Sequence, residues 1–277
     1  MRYNIIQSNG SYSSLLNDNS EKRETVYPNI LSTIWNMTLG NQETSSSIAS
    51  EKENEIVKPK AYSNLTVYDE TAWKKYFDYD IEGEIPERPS ETITSEIITQ
   101  MTKTEQKCEL EGTPTFSLTL IPKGLNLEKL EFVIKKPIEG KGTSLWPIYN
   151  PIRKTIGNET VDKTYWVLFY ERIIQGTRNK HYKDQKAIVR QKTFSNSQGT
   201  LPGFLEALTC IAFKRAVTGE RLFSNYSKHT PDSYIRCKEK IDQNPLMIGG
   251  FSHLGIHLRR EDKYQRQYVG ATACWKF

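Results

Sequence analysis

The sequence is poor in the residues that carry metal and redox chemistry, with four cysteines and four histidines in 277 residues. Cys108, Cys210, Cys237 and Cys274 lie far apart with no C-x-x-C pair. That spacing argues against a zinc ribbon or a disulfide framework and leaves the cysteines as small buried hydrophobes of a reducing compartment. The phosphate-binding patterns G-x-x-x-x-G-K-[ST] and G-x-G-x-x-G are absent, and so is the G-x-S-x-G of a nucleophile elbow. No run approaches the roughly 20 apolar residues of a bilayer span, and "MRYNIIQSNGSYSSLLNDNSEKRE" holds no apolar block of signal-peptide length. A cytoplasmic protein is expected, with export to a host cell open only to a machine that reads some other address. Internal repeats and heptads are also missing, which argues against solenoids and coiled coils.

What is present suffices for a core: 36% of residues are hydrophobic and 11% aromatic. Charge is unevenly spread. Lys and Arg against Asp and Glu number 6 and 7 in residues 1–60, 9 and 15 in 61–140, and 23 and 11 in 141–277. Either the acidic and basic parts attract each other across an internal interface, or the basic part faces an anionic partner.

Residues 1–60 are rich in Ser, Asn and Glu and read as a flexible leader. One short helix is expected within it, at Tyr27 to Leu39, "YPNILSTIWNMTL". From about residue 61 to 277 a single α+β domain is expected, with amino-terminal helices packed on a mainly antiparallel carboxy-terminal sheet. Asp69 caps a helix "ETAWKKYF", Ser90 opens "ETITSEIITQM", and Asn126 caps "LEKLEFVIKK". "TFSLTLIP" and "TYWVLFYE" read as strands. The helix after Thr200 and Pro202 buries Leu205, Leu208, Ile211 and Ala212 and ends at Gly219. "NPLMIGGF", "HLGIHLR" and "YVGATACWKF" read as an antiparallel meander.

Half of the histidines fall in "GGFSHLGIHLRR", Gly249 to Arg260. As a strand it places Leu254, Ile256 and Leu258 on one face and His253, Gly255, His257 and Arg259 on the other. The two histidines, about 7 Å apart on that face, lack a third ligand at supporting spacing, so no metal is expected. Gly249-Gly250 reads as a bulge or turn rather than a phosphate cradle. No cofactor is implied.

Two other features carry chemistry. "YIRCKEK" sets Cys237 among Arg236, Lys238 and Lys240, whose charges would lower a thiol pKa, so an enzyme centred on Cys237 is one reading. The densest basic run is 172–192, where Arg178, Lys180, His181, Lys183, Lys186, Arg190 and Lys192 surround Tyr182, a pattern for phosphate contacts with one stacking ring and equally for a solvated helix face. Arg178, Arg221 and Arg236 each stand close to an aromatic, Tyr182, Phe223 and Tyr234. At least one of these arginines is expected to be an internal strut between the two halves, with the acidic residues 61–140 supplying its partners, and the others to line a functional surface. The candidate binding set is therefore Arg178, Lys180, Tyr182, Arg221, Tyr234 and Arg236.

The blocks "WKKYF", "LTLIPK", "YWVLFYERIIQGTRNKHYKDQ", "LPGFLEALT", "TGERLFS", "YIRC" and "IGGFSHLGI" occur in an order that resembles a group of uncharacterised proteins from Chlamydia-like intracellular bacteria. The resemblance covers about residues 62–277. Some of those proteins carry an F-box-like module ahead of this domain; here that place holds only Tyr27 to Leu39, a relic if it is one, and Trp275 stands where the group has a terminal arginine. The resemblance implies kinship and a host-directed habit, not a reaction. The sequence thus points to a non-catalytic protein-interaction module, an effector domain in a host cell, with nucleic-acid binding through 172–192 and the Cys237 enzyme as alternatives.

Overall fold

The computed structural model describes residues 64–106, 115–146, 148, 150–194, 196–224, 233–260 and 266–277, all within the unit Lys58–Phe277. Residues 1–60, with the short helix expected at Tyr27 to Leu39, and Cys108 lie outside the described residues. In chain order the elements are β1 (Leu65–Tyr68), α1 (Glu70–Phe77), α2 (Glu91–Gln106), β2 (Phe116–Ile121), α3 (Leu127–Lys135), α4 (Asn150–Ile156), β3 (Tyr165–Tyr170), α5 (Tyr182–Arg190), β4 (Thr193–Phe194), β5 (Ser197–Gln198), α6 (Phe204–Thr218), β6 (Tyr234–Ile241), β7 (Asn244–Ser252), β8 (Gly255–Arg260), β9 (Val269–Gly270) and β10 (Cys274–Lys276).

The chain is α+β, but helices and strands interleave, correcting the expected order of helices first and sheet last. One mixed sheet runs β1-β2-β3-β10, a second runs β8-β7-β6-β9, and β4 pairs with β5. The expected meander holds for β7 and β8, which pair antiparallel. Its third segment splits: β9 lies parallel to β6, while β10 crosses to the other sheet and pairs antiparallel with β3. Periodicity identifies a strand but not its neighbour, and β10 goes where the sheet edge offers unpaired backbone groups.

Alternation along β3 explains the layers. Val167 and Phe169 face a cluster containing α6, and Trp166, Leu168 and Tyr170 face one with Ile97, Ile98 and Met101 of α2. The first sheet is therefore covered on both sides, and the second sheet turns Ile235, Cys237, Ile248 and Ile256 towards the α6 cluster. Twelve of the fifteen residues of α6 are buried, the signature of a helix enclosed on all sides rather than amphipathic. Phe213 on α6 stacks on Tyr68 at 4.6 Å and meets Trp73 and Phe77 of α1 edge-on at 4.9 and 4.7 Å. Each such pair adds ~0.5–1.5 kcal/mol beyond area burial. Asp69 fixes α1 as expected, accepting from Ala72 N at 3.0 Å.

The predicted faces of "HLGIHLR" are corrected. Leu254 sits in the turn and is exposed, while His257 is buried, its Nδ1 3.0 Å from Tyr234 Oη and its ring 5.1 Å from Trp146. The segment around Ser144 to Trp146 pairs with the edge of β8 through Ile256 N to Ser144 O and Trp146 N to Ile256 O, both 2.9 Å, which brings Trp146 to His257. Gly249 and Gly250 have φ of +146° and +54°, and the register of β7 against β8 shifts between Gly249 and Ser252. They form a bulge, as the sequence suggests; a Cβ on Gly249 would run into Ser233 O.

Candidate functional site

The start of α6 is built from residues distant in sequence. Pro202 O accepts from Lys238 N at 2.9 Å, which binds β6 to the helix entry. Gly203 leaves room for side chains to close over the free amides of the first turn; a Cβ there would lie 3.0 Å from Glu239 Oε1 and 3.1 Å from Lys238 Cε. Glu206, buried, folds back so that Oε2 accepts from Gly203 N at 2.6 Å. Its Oε1 accepts from Tyr165 Oη at 2.6 Å and pairs with Lys276 Nζ, and Lys238 Nζ stands 3.9 Å away. Glu239 Oε2 accepts from Phe204 N at 3.0 Å.

The environments of these two carboxyls separate their proton affinities. Burial pushes Glu206 up, but Lys276, Tyr165 and Lys238 together outweigh it and hold the group below its ordinary range. Burial also pushes Glu239 up, and here its backbone hydrogen bonds and Lys238 oppose it too weakly, so it titrates at about 7. Burial raises Glu159 as well, with Lys238 pulling back. These groups line a cleft of about 440 Å³. Lys238 and Lys276 also line a groove of about 370 Å³ with Tyr182, Lys186, Arg190 and Leu201. The cleft and the groove are thus adjacent, with the two lysines lining both. A carboxylic acid near neutrality beside an ionised carboxylate can move protons, and the groove, with no carboxylate among its lining residues, can receive an anion.

The structure disperses the six predicted binding residues. Tyr182 lines the groove, its Oη donating to Lys238 O at 3.1 Å and its ring under Lys240 Nζ at 5.1 Å. Lys180 is exposed, and its carbonyl accepts from Arg236 Nη1 at 2.9 Å. Arg178 donates to Tyr268 O at 3.2 Å and Ser233 Oγ at 2.9 Å, and burial draws its pKa down. Tyr234 and Arg236 are inside the protein. Arg236, 0% exposed, donates to Gln185 Oε1 at 2.8 Å, and Gln185 Nε2 passes the network to Thr177 O at 2.6 Å and Val269 O at 3.1 Å. Arg236 is internal and links β6 to α5, but these partners lie within residues 141–277, so it does not bridge the acidic and basic parts as the sequence suggests. Arg221 lies elsewhere, over Phe251.

Cys237 is corrected as well. It is fully buried towards α6, because neighbours on a strand face opposite ways, and burial holds the thiol well above its ordinary pKa. Lys238 pulls the other way, but burial outweighs it. Cys210 and Cys274 are likewise buried and free. Among the described residues no group of three or more His, Cys, Asp or Glu could hold a metal ion, and no helix is long and apolar enough to cross a membrane.

Sequence reasoning missed Glu206, Glu239 and Lys276. A faint signal existed for one: Glu206 stands three residues after Gly203 at a helix start, the spacing of a capping carboxylate. Lys276 reaches it from 70 residues away, which no local pattern encodes. No family model matches the chain, and no curated protein or solved structure matches it either.

Proposed function

We propose that the domain is a non-catalytic interaction module that takes an acidic segment of a partner protein in the groove between α5 and the start of α6. The observation that carries this reading is the groove itself, lined by Tyr182, Lys186, Arg190, Lys238 and Lys276; Lys238 and Lys276 already pair with Glu206, so Lys186 and Arg190, which have no described ion pair, carry the charge offered to the segment. The wider charge distribution supports it. Among the described ion pairs only Arg153–Glu131 and Lys192–Glu105 join the basic residues 141–277 to the acidic residues 61–140, so internal attraction accounts for little of the asymmetry. Nucleic acid fits less well: a strand binder needs several rings, and the one ring here already has Lys240 over it. The resemblance to proteins of intracellular bacteria supports a host protein as the source of the segment.

Fluorescence anisotropy with a labelled Asp/Glu-repeat peptide tests this. Binding should weaken at least about tenfold in a Lys186→Glu, Arg190→Glu double variant and should fall as salt rises. No binding, or binding indifferent to the variant, overturns the reading, and preferential uptake of oligouridine favours the nucleic-acid alternative. A second reading, an acid–base enzyme, is favoured by Glu239 at about 7 beside Glu206. It requires the Glu239 carboxyl carbon to titrate near neutrality by NMR; a midpoint in the ordinary carboxylate range removes it.

A further inference from the structure

At the other end of α6 lies a pocket of about 440 Å³ lined by Lys135, Ser144, Arg215, Arg221, Phe251 and His253 among others, with no carboxylate in the lining. Arg215 and Arg221 both lie over the Phe251 ring, at 5.9 and 5.7 Å. The bulge at Gly249-Gly250 presents this ring, which is itself buried. Arg215 has a structural role, donating to Gly219 O and so completing the helix terminus. Arg221 has none. No described ion pair or hydrogen bond engages it, and its Nε and that of Arg215 are buried without a partner. Two like charges share one ring, burial and Arg221 together drawing the pKa of Arg215 down.

Such an arrangement is costly as it stands, because like charges are held close and the two Nε–H donors are buried without acceptors. A dication-lined pocket of this kind is completed by an oxyanion, whose oxygens accept in the fork geometry of arginine. The rest of the lining fits that ligand. Ser252 Oγ accepts from Leu254 N at 3.1 Å and keeps its proton to donate. Lys135 and His253 are exposed at the rim. The wall is rigid, since Gly255, at φ +121°, lets β8 close on Ser144, where a Cβ would run into Ser144 O. The negative end of α6 opposes an anion here, but Arg215 already covers Gly219 O, which leaves Arg221 as surplus charge.

We propose that this pocket is a phosphate-binding site, with Arg221 and Arg215 as its principal ligands and Ser252, Lys135 and His253 closing over a phosphate group, free or carried as a monoester. Its volume exceeds that of a single phosphate, leaving room for the organic part of an ester. It is separate from the α5 groove and does not depend on that reading. The test is calorimetry and thermal shift on the full chain with inorganic phosphate and with phosphoserine, against sodium chloride at matched ionic strength. Saturable binding beyond the chloride control is expected, weakened at least about tenfold by Arg221→Gln, about 1.4 kcal/mol, weakened less by Lys135→Gln on the exposed rim, and unchanged by Lys186→Glu, Arg190→Glu. Tighter binding of phosphoserine identifies an ester ligand, and tighter inorganic phosphate a free one. The proposal is overturned by no saturation over chloride, by Arg221→Gln and Lys135→Gln proteins that bind like the parent, or by binding lost only in the α5 double variant.

Discussion

At the N-terminal end of α6 the buried carboxylate of Glu206 meets Gly203 N, Tyr165 Oη and Lys276 Nζ, whereas at the C-terminal end Arg221 shares the Phe251 ring with Arg215 and meets no acceptor among the described residues. Both ends carry the sign that the helix dipole favours. They differ in whether the fold completes the charge. A buried charge that its own chain satisfies has a structural explanation in full, and one left without acceptors does not. The N-terminal end therefore needs no ligand to explain Glu206, and functional interest there shifts to Glu239 and to the lysines that face outward along the groove. The C-terminal end points outward from the start.

The largest effect should come from Glu206→Ala. It leaves Lys276 without its partner and exposes the first-turn amide of Gly203 to an empty site, so a loss of about 3–5 kcal/mol is expected in urea unfolding near neutral pH. Because the folded pKa of Glu206 is depressed, its contribution is present above the unfolded carboxyl value of about 4.3 and fades as the pH drops through the folded value. A loss under about 1 kcal/mol would erase the contrast between the ends.

Glu239→Gln tests the same end with the opposite sign. The folded pKa, at about 7, lies above the unfolded one, so this group's stabilisation is full below about 4.3 and declines until the pH passes 7. The variant keeps an acceptor for Phe204 N and removes that slope. It should be more stable than the parent by about 1–3 kcal/mol at mildly alkaline pH and about equal in acid. Melting curves of the two proteins that run parallel across this range would place Glu239 in the ordinary carboxylate class.

The smallest effect is expected at the C-terminal end. Arg221→Gln loses the contact with Phe251 but relieves the crowding of Arg215, two effects of opposite sign, so unfolding without added phosphate should shift by no more than about 0.5 kcal/mol. A loss of several kcal/mol would mean that the stacking on Phe251 is structural, and that the two ends are alike after all.

Much of the local structure is legible in the sequence. Asp69 and Asn126 cap α1 and α3, Gly219 ends α6 in a left-handed conformation, and "TYWVLFYE" is a buried strand. Each depends on residues within one turn or one strand. Two strands are not legible in this way. "LTVY" becomes β1 because β2 offers it a parallel partner, and "YIRCKEK" becomes β6 although its charges suggest a surface thiol. The basic run 172–192 stands out in the sequence, yet of its members Tyr182, Lys186 and Arg190 line the groove while Arg178 is tied to Tyr268 and Ser233.

By itself the sequence determined most of the longer elements, the caps of α1 and α3, the bulge at Gly249-Gly250 and the surplus of positive charge in residues 141–277, since propensity, periodicity and composition act over short spans. Only the tertiary structure decided that α6 is enclosed between two sheets, that β10 carries Lys276 to Glu206, that Arg236 is buried between β6 and α5 while Arg221 meets no acceptor among the described residues, and that Cys237 faces the core. Those outcomes turn on which faces are covered and which charges are completed. Such properties belong to surfaces brought together from distant parts of the chain, where burial and the nearest partner, rather than the neighbour in sequence, set the energy of a charged group.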